Sequence, residues 1–313
     1  MLRTSTTANF RFVAQLGLAT AALMFGLIVL GSIVRTTGSG LACPDWPLCH
    51  GKLIPPLQFN VLVEWFHRLV ALLVSTMLAV IVGTVFARRP LRRRLGWLAG
   101  FSVAALVLQI LLGAFTVWKL LAPAFVSAHL AVALLLFSVL LVLTLRAGRE
   151  ADGPAGAPGP HPPGLAPLLG VAAALVYAQA VLGGAVSSSG ASLACRDWPT
   201  CNGQWFPPLE GLVGLQMAHR WGAYLLTAYL GYVAWRARAA ADPLLASGGG
   251  MLLALTLGQI ALGVCNIFLG IQVWLSALHL ANAAGMLALA IAMTFRALSL
   301  RAPSARPAPE AAS

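Results

Sequence analysis

The sixteen residues LACPDWPLCHGKLIPP at 41–56 return as LACRDWPTCNGQWFPP at 193–208, with ten identities at a constant offset of 152. Whatever the first half of this 313-residue chain folds into, the second half must fold into as well, because a repeat of this kind is one structural unit used twice. The correspondence reaches past the cysteine loop. His67 in EWFHR and His219 in QMAHR stand at the same offset, and AHLA around His129 answers LHLA around His279 at an offset of 150. Each half therefore holds one Cys-x5-Cys loop and two histidines. One position breaks the symmetry: Glu64 in the first half faces Gln216 in the second.

The repeated unit is a membrane bundle. The chain is 59% hydrophobic and only 9% charged, a balance that makes lipid its solvent. A spanning helix needs roughly 20 apolar residues. Eight segments qualify, at about 11–34, 61–87, 95–118, 123–146, 165–189, 212–238, 248–270 and 272–297. Runs this long that do not alternate are helices rather than barrel strands. The expected fold is an all-α integral membrane protein, with eight transmembrane helices as two pseudo-symmetric four-helix bundles. Residues 1–146 form the first bundle, 147–164 (AGREADGPAGAPGPHPPG) a flexible cytoplasmic linker, 165–302 the second bundle, and 303–313 a disordered tail. An even number of spans per half makes both copies enter from one face, so their symmetry axis lies along the membrane normal.

The net charge of +12 does not mark a nucleic-acid binder, because its distribution follows the membrane. With eight spans, fourteen of the twenty Lys and Arg residues fall on the side of the two termini, and Arg35, Lys52, Lys119 and Arg196 on the other. By the positive-inside rule both termini are cytoplasmic and both cysteine loops extracytoplasmic. The first apolar run is too long for a cleavable signal peptide and no small-residue cleavage site follows it; an Arg- and Ser-rich transit segment is also missing. The expected location is a bacterial cell (inner) membrane.

His67, His129, His219 and His279 each lie six or seven residues past the outer start of an inward-running helix. Ionisable groups inside spans are rare and usually functional. Two at one depth in each bundle are the axial pair that holds a haem iron between facing helices. The bland reading, interhelical hydrogen bonding, suits one such histidine better than four. Arg68 and Arg220 directly follow a candidate ligand and are placed to fork onto a haem propionate; Arg35 at the outer end of the first span is the weaker candidate for the same job. Its counterpart, Ser187, is uncharged. Glu64 precedes His67 by three and shares its helix face, so the first bundle holds an acid where the second holds an amide. This points to chemistry in the first bundle and electron transfer in the second; a plain structural hydrogen bond, or a pairing with Arg68, is the other reading of Glu64. Cys43 with Cys49 and Cys195 with Cys201 lie on the oxidising side, where disulfides form; a structural clamp and a redox-active thiol pair both remain open. His50 lacks the partners for a zinc site. Cys265 reads as a buried helix-packing thiol and His161 as inert. Gln-x-x-Leu-Gly recurs at 109–113, 179–183 and 259–263, which reads as close helix packing.

The loop R-T-T-G-S-G-L, the segment C-P-D-W-P-L-C-H-G, E-x-x-H-R on the second span and the two-fold repeat together resemble the heme A synthase family, bacterial relatives of the mitochondrial Cox15 proteins. The resemblance covers nearly the whole chain. It implies oxidation of the C8 methyl of heme O to a formyl, by successive hydroxylations through an alcohol and a hydrated aldehyde, giving heme A for terminal oxidases. It assigns heme O and heme A to His67 and His129, a resident heme b to His219 and His279, catalysis to Glu64, and the family's first-loop cysteine pair to Cys43 and Cys49. Cys195 and Cys201 go beyond the pattern of many members and favour a shared structural role. The implied partners are membrane lipid, heme O, a quinol or other electron donor, a heme O synthase, the terminal oxidase under assembly and a second copy of the chain. Two other classes stand beside this reading: a di-haem, cytochrome b-like electron carrier, and a quinone-linked thiol oxidoreductase.

Overall fold

In the computed structural model, residues 2–153 and 161–300 are described. Eight long helices run α1 (Leu2–Thr36), α2 (Phe59–Ala87), α3 (Arg89–Trp118), α4 (Pro123–Asp152), α5 (Leu165–Ser188), α6 (Gly211–Ala237), α7 (Pro243–Phe268) and α8 (Val273–Ser299), with one 3-10 turn at Ala191–Leu193. Seven are long and apolar enough to cross a bilayer. The exception is α6, which the sequence reading counts as a span. It has the length, at 27 residues, but Gln216, His219, Arg220 and Arg236 dilute its apolar character. It packs between α5 and α7, the place α2 takes between α1 and α3.

Within each half the helices form a ring in chain order: α1 against α2, α2 against α3, α3 against α4 and α4 back against α1, then likewise from α5 to α8. The histidine-bearing helices of a bundle are therefore diagonal partners across its interior. The halves meet through α1 with α8, α4 with α5, and α4 with α8. Exchanging the halves swaps the first two contacts and leaves the third unchanged, as a two-fold axis between α4 and α8 requires. Small residues permit this closeness. A side chain on Gly184 of α5 would run into Leu130 of α4, and one on Gly17 of α1 into Thr144 of α4. Large apolar side chains such as Phe66, Leu72, Trp97, Leu225 and Trp235 are exposed on the outer surface, where lipid solvates them.

One local feature departs from the composition-based boundaries. α4 continues to Asp152, six residues into the stretch read as linker, because AGREAD holds no proline and its single glycine, Gly148, keeps the helical conformation; the helix ends where Gly153 turns to φ +78°. Residues 154–160 and the tail 303–313 lie outside the described residues. The α3–α4 and α7–α8 turns close alike: Leu121 N–H donates to Thr116 O at 2.8 Å and Ile271 N–H to Asn266 O at 2.9 Å. This is the left-handed C-terminal cap that normally selects glycine. Gly270 satisfies it in the second half at φ +72°, whereas Leu120 must adopt φ +50° in the first.

Candidate haem-binding site

Each of the four histidine rings sits against a glycine on the helix that precedes its own. A Cβ placed on Gly31 (α1) would lie 3.4 Å from Cε1 of His67 (α2), and on Gly113 (α3) 3.2 Å from His129 (α4). On Gly183 (α5) it would lie 2.9 Å from His219 (α6), and on Gly263 (α7) 3.3 Å from His279 (α8). The missing side chains are slots that seat the imidazoles. All four rings line one cavity of about 1170 Å³ that runs through both bundles. The rings of each diagonal pair lie within electrostatic range of one another. Nδ1 of His67, His129 and His279 is buried without a hydrogen-bond partner among the described residues.

Glutamines one turn before three of those glycines touch the rings or their backbone. Gln179 Nε2 lies 3.0 Å from His219 Nδ1 and donates to His219 O at 2.7 Å. Gln109 Nε2 lies 3.2 Å from His129 Nε2, and Gln259 Nε2 donates to His279 O at 3.0 Å. The Gln-x-x-Leu-Gly motif is thus one histidine-holding device, amide and slot together, rather than general helix packing.

The cysteine loops roof the cavity from one end. The structure bonds Cys43 to Cys49 and Cys195 to Cys201, each with Cα atoms 4.7 Å apart. Inside each ring an aspartate holds the turn. Asp45 accepts from the amides of His50 at 2.6 Å and Gly51 at 2.7 Å. Asp197 accepts from the amides of Asn202 at 2.7 Å and Gly203 at 2.9 Å, and from the Thr200 hydroxyl at 2.6 Å. His50-Gly51 and Asn202-Gly203 all have positive φ, the pattern of a tight two-residue hairpin turn. The Gly51 amide foremost holds the Asp45 carboxyl below its usual range, and the Thr200 hydroxyl does the same for Asp197. Asp-Trp-Pro-x-Cys-x-Gly therefore encodes a folded cap, a role that sequence reasoning left unassigned.

Glu64 and Arg68 fasten the first cap to α2. The buried Glu64 carboxylate accepts from the Cys43 amide at 2.8 Å and from Arg68 at 2.6 Å. Arg68 also donates to the carbonyls of Asp45 at 2.7 Å, Leu48 at 2.6 Å and Cys43 at 3.1 Å. In the second half Arg220 donates to the carbonyls of Thr200 and, at 2.9 Å, Cys195. Among the described residues its Nε is buried without a partner, as is Oε1 of Gln216, and no carboxylate pairs with Arg220. Arg35 reaches the same cavity from α1, and its side chain makes no hydrogen bond or ion pair among the described residues. The structure thus brings together every histidine and arginine singled out from the sequence, but in changed order: Arg68 is already engaged, while Arg35 and Arg220 have donors to spare.

Three other residues fall outside the chemistry. His161 is hydrogen-bonded to Ala297 O at 3.1 Å and lies off the cavity. His50 lies 2.9 Å from Ala42 O through Nε2, within the cap. Cys265 is exposed, contrary to the buried thiol expected, because it lies on the outer face of α7 away from buried Thr256 and Asn266.

Two four-helix membrane bundles joined in tandem, with diagonal histidine pairs seated in glycine slots around a shared cavity, define a duplicated, multi-pass, all-α membrane protein. The chain belongs to the COX15-CtaA family, described as cytochrome oxidase assembly protein, whose profile matches residues 14–61 and 57–291. It is similar to the heme A synthase of Symbiobacterium thermophilum, at 34% identity over 79% of this chain and 82% of that protein. Two further heme A synthases resemble it: that of Halalkalibacterium halodurans, 33% identical over 67% of this chain and 71% of the relative, and that of Caulobacter vibrioides, 30% identical over 88% and 93%.

Proposed function

We propose that this chain is an enzyme that makes heme A from heme O, oxidising the C8 methyl to a formyl in the first bundle while the second bundle holds a b-type haem. One observation carries the reading: paired imidazoles in both halves open onto one cavity, and only the first half contributes an acid to it. The residues fit the group. Two imidazoles from opposed helices are the protein share of a six-coordinate haem, with the porphyrin supplying the rest. A cavity of about 1170 Å³ also exceeds the ~300–1,000 Å³ of an ordinary small-molecule cleft. The same names borne by the relatives above support it.

In this reading His67 and His129 bind the substrate, and His219 and His279 the resident haem, which supplies one-electron transfer when bound. Arg35 and Arg220 are the propionate partners, since each lines the cavity with guanidinium donors that no carboxylate accepts among the described residues. Arg68 instead positions Glu64 and the cap. Glu64 is the only carboxylate among the residues lining the cavity, and so the group available to take up or release a proton as the methyl is oxidised. The four loop cysteines are at most 1% exposed, which hides their sulfurs from an exchanging thiol and supports a structural role. The basic ends of the bundles face the cytoplasm and the caps the opposite side. A quinol is the expected electron donor.

Haem extraction and pyridine-haemochrome spectra of the protein co-expressed with a heme O synthase test the assignment. Heme B together with heme O and heme A is expected. Heme B alone would reduce the protein to an electron carrier, and a haem-free protein would overturn the site. The role of Glu64 is separated by comparing Glu64→Gln with Arg68→Gln, which breaks the same fastening yet keeps the carboxylate. Heme A formation should fall far more in the first. Equal losses would make Glu64 a positioning residue only.

A further inference from the structure

Three of the four glycine slots carry a glutamine one turn earlier, and the fourth does not. The segment Leu27-Ile-Val-Leu-Gly31 aligns with Gln179-Ala-Val-Leu-Gly183 at the repeat offset of 152, so Leu27 stands where the second bundle has its amide. Leu27 lines the cavity and packs against the core. His67 is accordingly the one histidine of the four with no glutamine hydrogen-bonded to its ring or backbone among the described residues, and its buried Nδ1, like those of His129 and His279, has no partner there. An independent measure agrees. The Gly31 slot is also the widest by a small margin, 3.4 Å from the His67 ring against 3.3 Å for Gly263, 3.2 Å for Gly113 and 2.9 Å for Gly183.

The opposing residue shows that the substitution belongs to a paired change. Gln179 lies so close to Gly222 on α6 that any side chain there would collide with its Oε1. The equivalent of Gly222 on α2 is Val70, which like Leu27 packs against the apolar core. The second bundle has Gln with Gly, and the first has Leu with Val.

Partners that hydrogen-bond a ligating imidazole fix its orientation, and losing one typically weakens metal affinity by about 10–100-fold. In the second bundle Gln179 reaches the His219 ring and backbone and Gln259 the His279 backbone, so a glutamine anchors each histidine there. A porphyrin that arrives as substrate and leaves as product needs one axial bond that opens. We propose that Leu27, with Val70, makes His67 the yielding ligand of the first bundle, so that substrate and product exchange there while the second bundle retains its haem. The inference rests on the assignment of the first bundle to the substrate given above.

The test measures haem transfer from the full-length protein in nanodiscs to apomyoglobin, with the transferred haems identified by chromatography. Heme O and heme A report the first bundle, and heme B the second. Wild type should release heme O and heme A faster than heme B. Leu27→Gln/Val70→Gly should slow that first release about tenfold, with Val70→Gly alone failing to do so. Gln179→Leu should speed loss of heme B by a similar factor, and carries the test should the double variant not accumulate. Unchanged release rates in haem-loaded variants would overturn the role of Leu27 and leave the haem assignment standing. A wild-type protein that binds no porphyrin would overturn both.

Discussion

Replacing Glu64 by Gln asks how much the first cap depends on one buried carboxylate. Glu64 receives two donors, the Cys43 amide at 2.8 Å and Arg68 at 2.6 Å. Hydrogen bonds to a charged group contribute ~1.5–3 kcal/mol each and neutral ones ~0.5–1.5 kcal/mol. A glutamine offers one accepting oxygen, so one contact becomes donor against donor and the other becomes neutral. Two bonds of about 2 kcal/mol would be replaced by one of about 1, a loss of ~3 kcal/mol. The upper range for breaking a buried pair, ~3–5 kcal/mol, is not reached. Arg68 keeps its three carbonyl partners and is not left stranded. At ~2–4 °C per kcal/mol for a unit of this size, thermal unfolding in detergent should shift down by about 6–12 °C. A double-mutant cycle with Arg68→Gln should show coupling of ~1–3 kcal/mol. A shift below about 2 °C, or additive effects, would show that the carboxylate does not fasten the cap.

Gly183→Ala should displace His219, whose ring leaves only 2.9 Å, and cost the second bundle its haem, while Gly31→Ala at 3.4 Å is tolerated; absorbance of the two purified variants checks this. Leu120→Gly should stabilise the chain, since Leu120 is exposed and relief of left-handed strain worth ~1–2 kcal/mol outweighs the ~0.5–1 kcal/mol entropy loss of glycine; a thermal melt reads the gain. The carboxyls of Asp45 and Asp197 sit below their ordinary range, so their contribution is full above the unfolded value near pH 4 and is lost as pH falls through the lower folded values. Amide protection at His50, Gly51, Asn202 and Gly203 should therefore hold at about pH 5 and weaken only in stronger acid.

The architecture was legible because both of its causes are written in the chain: apolar runs fix the spans, and the offset of 152 fixes the symmetry. The histidines were legible for the same reason, as polar groups set in apolar helices. What escaped was anything that depends on the partner across a helix interface. The glycines at 31, 113, 183 and 263 look like ordinary small packing residues until an imidazole is seen against each. The engagement of Arg68 was hidden in the same way. Arg68 directly follows the candidate ligand His67, yet the carbonyls that occupy it come from a loop some twenty residues away. The exposure of Cys265 depends on helix phase, and the continuation of α4 to Asp152 on the absence of a proline before Gly153. α6 was read as apolar although its polar residues make it the least lipid-like of the eight.

The contacts between the halves, α4 on α8 and the exchanged pairs beside them, are isologous in kind. A half-length chain bearing those surfaces would close on a second copy of itself, as a homodimer with two equal sites. Such a dimer has one gene for both sites and can alter neither alone. Covalent fusion releases that constraint, since an acid at position 64, an amide at 216 and a leucine at 27 then become separate choices.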